Sequence, residues 1–243
     1  MQTAVIVNGA LGKMGALACE TLEKHPDFTL VGKLTRGDDL ALAIKDTRAT
    51  VVVDLTRADA AYTNALTIIN SSAHPVIGTS GLTTEQVAHL QEISASKKLG
   101  GIIAPNFSIG AVLMMKFAAQ AARYLPEAEI IEIHHQQKYD APSGTAAKTA
   151  EMMAAARAEQ PKHLSSHEAI AGVRGGKHHN VAIHSLRLPG VLARQQVIFG
   201  NQGETLTISH DSIDRASFMP GVVLCCLKVL QLDKLLYGME AIL

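Results

Sequence analysis

The sequence predicts an α/β protein. It reads as a Rossmann-like dinucleotide-binding domain plus an α+β substrate-binding and oligomerisation domain with a mixed or antiparallel sheet. Three observations carry this. Short β-rich runs alternate with helical periods over residues 4–104. Glycines spaced G-x-x-G-x-x-G follow the first run. From Val181 onward, strand-like runs succeed one another without a helix between them.

The first runs cover residues 4–7, 30–34, 51–55, 75–78 and 101–104. Continuous apolar stretches such as Val51-Val52-Val53 suit strands buried on both faces, as a parallel sheet requires. Leu11, Met14, Ala18 and Leu22 keep a helical period, as do Ala61, Ala65, Ile68 and Ile69. Thr83 opens another helical segment, with Gln86 at the position that completes a capping box. Residues 107–124 are helical and stop at Pro126; residues 129–135 read as a strand and 145–159 as an Ala-rich helix. Residues 160–179 are polar and rich in Gly and His, which predicts a loop. Strands follow at 181–188, 191–199 and 204–210, the last two joined by the hairpin signal Gly200-Asn201-Gln202-Gly203. The apolar run 216–236 is expected to be helical and to return to the first domain. The domains are therefore 1–105 with 216–243, and 106–215.

Composition removes several classes. Of 243 residues, 47% are hydrophobic, enough for a core, so wholesale disorder is disfavoured. Lys+Arg and Asp+Glu are both 22, which argues against a nucleic-acid binder working through a broad basic field. Cys19, Cys225 and Cys226 form no CxxC pair, so the chain offers no zinc framework and fits a reducing, cytoplasmic compartment. Asn8 and Gly9 arrive too soon for a signal-peptide apolar region. The longest apolar stretch, 222–232, carries Lys228 and is shorter than the roughly 20 residues of a membrane span.

The glycine loop points to a dinucleotide. Gly9 permits the tight turn, Gly12 leaves room for a pyrophosphate, and Gly15 allows close helix–strand packing. Ala10, Leu11, Lys13 and Met14 complete the loop and open the helix, whose N-terminal N–H groups meet the anion. A Walker loop is excluded, because Met14 follows Lys13 where Ser or Thr is needed. After the second strand stand Thr35 and Arg36. No acidic residue is there for a ribose 2′-hydroxyl, whereas Arg36 can pair with a 2′-phosphate. This favours NADPH over NADH, although Asp38 and Asp39 lie close by.

The segment from Glu129 to Thr145 carries the chemistry. An apolar strand runs into His134, His135 and Lys138, turns at Pro142, and opens a helix at Ser143-Gly144-Thr145. His exchanges protons near neutrality, Lys holds a carboxylate or acts as an acid, and a helix N-terminus with nearby hydroxyls binds anions. Metal binding is the rival reading, since His163 and His167 are four apart and His178-His179 lie nearby. With no HExxH and no Cys partner, no metal site is assigned, and these histidines read as loop decoration. Eight of the eleven His follow residue 130, so beneath the neutral overall balance they and Lys138 place titratable and cationic groups in the second domain.

The chain resembles the dihydrodipicolinate reductases along essentially its whole length. The run Glu-Ile-Ile-Glu-x-His-His-x-x-Lys-x-Asp-Ala-Pro-Ser-Gly-Thr-Ala at 129–146 matches the family signature. Supporting matches are the glycine loop, Asp54-Leu55-Thr56, Gly78-Thr79-Ser80-Gly81 and Ala104-Pro105-Asn106-Phe107-Ser108. Arg187 before Leu188-Pro189-Gly190, and Arg215 with Phe218 and Gly221, are similar to later family blocks. The resemblance implies an NAD(P)H-dependent reduction of 4-hydroxy-tetrahydrodipicolinate, a small cyclic dicarboxylate, on the diaminopimelate route to lysine. It implies proton exchange at His134, with Lys138 as second donor and substrate contact. A carboxylate would be gripped by His135, Gly144 and Thr145 beside Ser143. The nicotinamide would be bordered by Gly78, Thr79, Ser80, Pro105, Asn106, Phe107 and Ser108. It further implies a discontinuous first domain and a homotetramer built through the second-domain sheets. Two departures from the family stand out: Thr35 replaces an acidic residue of members that use NADH well, and Leu188-Pro189-Gly190 replaces a Gly-Asp pairing.

Other classes fit less well. A short-chain dehydrogenase needs Tyr-x-x-x-Lys, and the residues four after the tyrosines are Leu66, Ala128, Ser143 and Ala241. Another oxidoreductase of this plan, such as an amino-acid dehydrogenase, does not need the His-His-x-x-Lys run. A non-catalytic cofactor-sensing regulator has no use for the proton-transfer groups. A DNA-binding regulator wants a basic stripe that the charge balance does not offer.

Overall fold

The computed structural model describes residues 2–159, 161 and 167–243. The chain divides into two compact units, Met1–Ile109 with Arg215–Leu243, and Gly110–Asp214.

The first unit alternates strand and helix: β1 (Thr3–Asn8), α1 (Lys13–Lys24), β2 (Phe28–Leu34), α2 (Leu40–Thr47), β3 (Val51–Asp54), α3 (Ala58–Asn70), β4 (His74–Ile77), α4 (Thr84–Ser96) and β5 (Gly101–Ile103). The strands form one parallel sheet in the order β11-β5-β4-β3-β1-β2, where β11 (Leu235–Tyr237) comes from the closing segment. Every residue of β3 is buried, as a strand covered on both faces demands. Ile6, Val52, Ile68, Ile69, Ile77 and Leu90 belong to one fully buried cluster. Each such side chain contributes roughly 1.5–3 kcal/mol of burial. Helix α4 starts as its sequence predicts: Gln86 N–H donates to Thr83 Oγ1 at 3.3 Å, and Thr83 N–H donates to Gln86 Oε1 at 3.0 Å.

The second unit contains α5 (Ile109–Ala122), β6 (Ala128–His134), α6 (Gly144–Ala156), β7 (Gly176–His178), β8 (Val181–Arg187), β9 (Ala193–Asn201) and β10 (Glu204–Ser212). Its sheet order is β10-β9-β6-β8-β7. The sheet is mixed, because β6 pairs parallel with β8 and antiparallel with β9. The expectation that consecutive strands pair antiparallel holds for β9 and β10, which meet across Gln202-Gly203. It fails for β8 and β9, because β6 lies between them. Ala118, Ala122, Ala146, Ala150 and Met153 of the two helices pack with Ile130, Ile183, Val197 and Phe199 of the sheet.

Two further sequence expectations are corrected. The run 216–236 is not one helix. A 3-10 turn (Arg215–Phe218), α7 (Met219–Lys228) and a second 3-10 turn (Val229–Gln231) lead to β11 (Leu235–Tyr237), paired in parallel with β5. A short apolar run such as Leu-Leu-Tyr has no period that separates strand from helix. The polar stretch after 160 is not all loop either, since residues 176–178 form edge strand β7. An exposed edge strand carries no apolar alternation to read. His163, one of the histidines weighed as a ligand, lies outside the described residues.

All three cysteines are buried free thiols, and burial pushes Cys225 up to about 12.

Candidate active site

The family motifs of the first unit share one edge of its sheet. Asn8 pairs with Asp54, Asp54 with Ile77, and Ile77 with Ile103. The segments 9–15, 55–56, 78–81 and 104–108 therefore all start at the carboxyl ends of neighbouring parallel strands. β2 lies on one side of β1 and β3 on the other, so strand order reverses where the glycine loop begins. Open α/β sheets bind ligands at that point.

The glycine loop is built for close backbone approach. Gly9 has φ +89°, and a Cβ there would stand 2.6 Å from the Leu55 carbonyl oxygen. A Cβ on Gly15 would stand 2.0 Å from the Gly9 oxygen. Gly12 precedes α1 in extended conformation without a capping side chain, which suits the helix start to an anion. Leu11, Gly12 and Lys13 are exposed around it, Met14 is half-buried, and Ala10 is buried beneath. These residues fit a dinucleotide pyrophosphate.

The turn is also pinned to the second strand. The N–H groups of Gly9 and Ala10 both donate to the Leu34 carbonyl at 3.0 Å. Thr35 and Arg36 follow directly and are exposed. The two acidic residues nearby are engaged locally. Asp38 accepts from Thr35 N–H at 2.6 Å and from its hydroxyl at 2.9 Å, and these bonds hold its carboxyl below the ordinary range. Asp39 caps α2 by accepting from Leu42 N–H at 3.0 Å.

A buried carboxylate organises the middle of the same edge. Asp54 is 0% exposed. One of its oxygens accepts from Asn8 Nδ2 at 2.9 Å and Asn64 Nδ2 at 2.8 Å. The other accepts from the hydroxyls of Thr79 at 2.6 Å and Thr56 at 2.8 Å. Thr56 N–H in turn donates to Thr79 Oγ1 at 2.9 Å. Thr79, just past β4, is thus fixed to the end of β3 through Asp54 and Thr56, while Ser80 beside it is exposed and Gly78 half-buried. Pro105 is exposed, Phe107 and Ser108 are buried, and Asn106 Oδ1 accepts from Ser108 N–H at 2.8 Å.

In the second unit, strand alternation puts Ile130, Glu132 and His134 on the face of β6 that turns toward α6. Glu132 is fully buried and is the hub. It meets His134 Nδ1 at 2.5 Å, accepts two bonds from Arg187 at 2.9 and 3.0 Å, and takes Ser143 N–H at 3.2 Å. Burial alone would raise its carboxyl, but hydrogen bonds from His134, Arg187 and Ser185 prevail and lower it to about 2. Arg187 also donates to the carbonyls of Asp140 at 2.6 Å and Lys138 at 3.4 Å. One guanidinium therefore fixes both the buried carboxylate and the loop that carries Lys138.

The chain leaves strand geometry after His134, and Lys138 N–H closes a turn onto the His135 carbonyl at 3.1 Å. Lys138 Nζ donates to both oxygens of Asp140 at 2.8 and 2.9 Å, and this bond holds Asp140 below the ordinary carboxylate range. Ser143 is buried and committed: its hydroxyl caps α6 by accepting from Ala146 N–H at 3.2 Å. It shapes the helix start, and Gly144 and Thr145 form its first residues, Gly144 exposed and Thr145 half-buried.

Residues 3–107 match the family model described as dihydrodipicolinate reductase, N-terminus, and residues 110–243 match the one described as dihydrodipicolinate reductase, C-terminus. The chain belongs to the dihydrodipicolinate reductase family. It is 63% identical to the 4-hydroxy-tetrahydrodipicolinate reductase of Legionella pneumophila (strain Lens), with 100% of both chains covered. It is 50% identical to that of Coxiella burnetii (strain Dugway 5J108-111), again over 100% of both. Among solved structures, it is similar to the dipicolinate-bound dihydrodipicolinate reductase from Paenisporosarcina sp. TG-14, with TM-score 0.90, 39% identity and 100% of both chains covered. An amine dehydrogenase from Mycobacterium smegmatis, at TM-score 0.68, 11% identity and 97% and 95% coverage, shares the fold alone.

Three residues of the two hydrogen-bond networks, one in each unit, escape a reading of the family signature for ionisable groups beside His134. Glu132 reads as one more strand residue, Arg187 is 55 residues away, and Asp54 sits in a motif with no assigned task. The signal for Glu132 is its place two before His134 on a strand, which puts both side chains on one face.

Proposed function

We propose that the chain reduces 4-hydroxy-tetrahydrodipicolinate to tetrahydrodipicolinate in the diaminopimelate route to lysine, using NADPH in preference to NADH. Membership of the family and full-length identity to the named reductases support the reaction. The observation that carries the site is Glu132, which holds His134 and the start of α6 through one buried carboxylate.

The net change replaces a hydroxyl by hydrogen. A hydride enters, and hydroxide leaves as water on taking one proton. Bound NADPH supplies the hydride. The protein supplies the proton and holds the dianion. His134 is the proton-exchanging group: with Nδ1 held by Glu132, Nε2 is the nitrogen that gives and takes. Lys138 is the second donor and a cationic contact, exchanging Asp140 for a substrate carboxylate. Gly144 and Thr145 meet a carboxylate with helix-start N–H groups, His135 assists, and Ser143 fixes their geometry.

The glycine loop with Ala10, Leu11, Lys13 and Met14 holds the pyrophosphate. Thr79, Ser80 and Gly78, with Pro105, Asn106, Phe107 and Ser108, border the nicotinamide. Arg36 pairs with the 2′-phosphate, a reading supported by Asp38 and Asp39 being turned onto their own backbone. The units 1–105 with 216–243 and 106–215 act as the cofactor domain and the substrate and oligomerisation domain. The chain works in the cytoplasm as a homotetramer. Buried free thiols and exposed Leu186, Leu188 and Leu206 in and beside the second sheet support this, and no described helix is long and apolar enough to cross a membrane.

The test supplies purified protein with substrate made in situ by the preceding synthase and follows NADPH absorbance. Substrate-dependent oxidation is expected, and its absence overturns the reading.

A further inference from the structure

Helix α6 and the β7–β8 hairpin bring three metal-ligating side chains together. Nε2 of His178 stands 3.5 Å from Glu151 Oε1. The His179 ring packs edge-on against that of His178, with centroids 4.5 Å apart and planes at 79°. One donor atom from each of the three lies within 4.8 Å of the others. Among the described residues, the buried His178 Nε2 has no hydrogen-bond partner, a condition that costs free energy unless something else takes it up. The hairpin adds a constraint. His179 has φ +50° and Asn180 φ +59°, the left-handed pair of a two-residue hairpin turn in which Asn-Gly is the favoured sequence. A histidine there accepts a conformation that most side chains avoid, and it lands beside His178 and Glu151.

We propose that Glu151, His178 and His179 form a binding site for a first-row divalent cation of zinc type. Two imidazoles and one carboxylate are a donor set for such an ion, with a fourth position left for water. Ligand bonds of roughly 2.0–2.2 Å place tetrahedral donors roughly 3.4 Å apart. The His178–Glu151 pair already stands at 3.5 Å, and rotation of the exposed His179 ring closes the rest. The other Glu151 oxygen accepts from Lys148 Nζ at 3.3 Å, so Oε1 remains for the ion. A cavity of about 630 Å³, lined by His178 together with Lys177, Gly175 and Ser185, gives the ion an approach. Magnesium and calcium want oxygen ligands and do not fit.

The ion would tie the middle of α6 to the edge of the sheet. Since α6 begins at Ser143-Gly144, the same helix would carry a carboxylate site at its start and a metal clamp in its third turn. The proposal is independent of the reductase reading, because its test measures binding rather than turnover.

The full chain is treated with chelator, dialysed, and titrated with Zn2+ by calorimetry at neutral pH, with Mg2+ as the control ion. One Zn2+ per chain is expected, with a rise in melting temperature, and no Mg2+ binding. His178→Ala, His179→Ala and Glu151→Gln should each weaken Zn2+ binding by about tenfold or more, while His167→Ala should leave it unchanged. Co2+ in the same site should give the visible absorption of a four-coordinate ion, lost in His178→Ala. No Zn2+ binding, or binding of equal strength in Glu151→Gln and His178→Ala, overturns the assignment. Zn2+ lost only in His134→Gln would lie elsewhere and overturns it too.

Discussion

Nδ1 of His134 lies 2.5 Å from a carboxylate oxygen of the fully buried Glu132. Two side chains on one face of β6 thereby form a carboxylate–imidazole pair, and Arg187 clamps the carboxylate from β8. The arrangement fixes the ring orientation and, on the proposed role of His134, leaves Nε2 as the proton-exchanging nitrogen. His134→Gln should lower kcat by about 10²–10⁴-fold while NADPH binding, followed by fluorescence titration, is retained. Glu132→Asp should recover more of kcat than Glu132→Gln, because it keeps the charge that orients the ring. Equal kcat for both variants would show that the carboxylate does not act through His134.

Acid should destabilise the protein through Glu132. Its carboxyl falls from an ordinary 4.5 to about 2 in the folded chain. A depressed folded value means that its stabilising contribution is complete above 4.5 and is lost as pH falls from there toward about 2. Urea unfolding from about pH 6 to about pH 3 should show a stability loss in the native chain that is smaller in Glu132→Gln. Parallel curves would contradict this.

Arg187→Lys should be poorly tolerated. A point ammonium cannot fork onto both oxygens of Glu132 and also reach the Asp140 and Lys138 carbonyls. A stability loss of about 1.5–3 kcal/mol is expected from the lost charged hydrogen bonds, together with a raised KM for substrate as the Lys138 loop loosens. A denaturant melt and steady-state kinetics check both parts.

Asp54→Asn should act on the cofactor side. The carboxylate faces two amide donors on one oxygen and two hydroxyl donors on the other, so an amide NH2 must oppose one donor set. The expected cost is about 1–3 kcal/mol of stability, with weaker NADPH binding as Thr79 is released. Unchanged NADPH affinity would separate Thr79 from the cofactor.

Arg36→Ala should lower kcat/KM for NADPH by about tenfold and leave the NADH value nearly unchanged, as loss of one charged contact to a 2′-phosphate implies. An unaltered ratio removes Arg36 from cofactor choice.

The parallel sheet was legible because its strands are continuous apolar runs, as in Val51-Val52-Val53, and because Gly9, Gly12 and Gly15 mark the turn after the first of them. His134 and Lys138 were legible as ionisable groups at the end of β6 and in the turn that follows it. Arg187 was not legible as a partner of Glu132, since the contact depends on β6–β8 register, which pairs His134 with Arg187 across parallel strands. The same holds for Glu151 and His178, which meet only when α6 packs beside an edge strand with no apolar pattern. β11 escaped for the opposite reason: Leu235 and Leu236 are as apolar as the helix before them, and only pairing with β5 makes them a strand.

The most direct test of the central account is tracer transfer. NADPH deuterated at C4 on the transferred face is mixed with the protein and substrate generated in situ, and the product is analysed by mass spectrometry. The account predicts one deuterium per product molecule with the native chain, and turnover slowed by about 10²–10⁴-fold in His134→Gln with the label still in the product. Product without deuterium, or full turnover in His134→Gln, would contradict it.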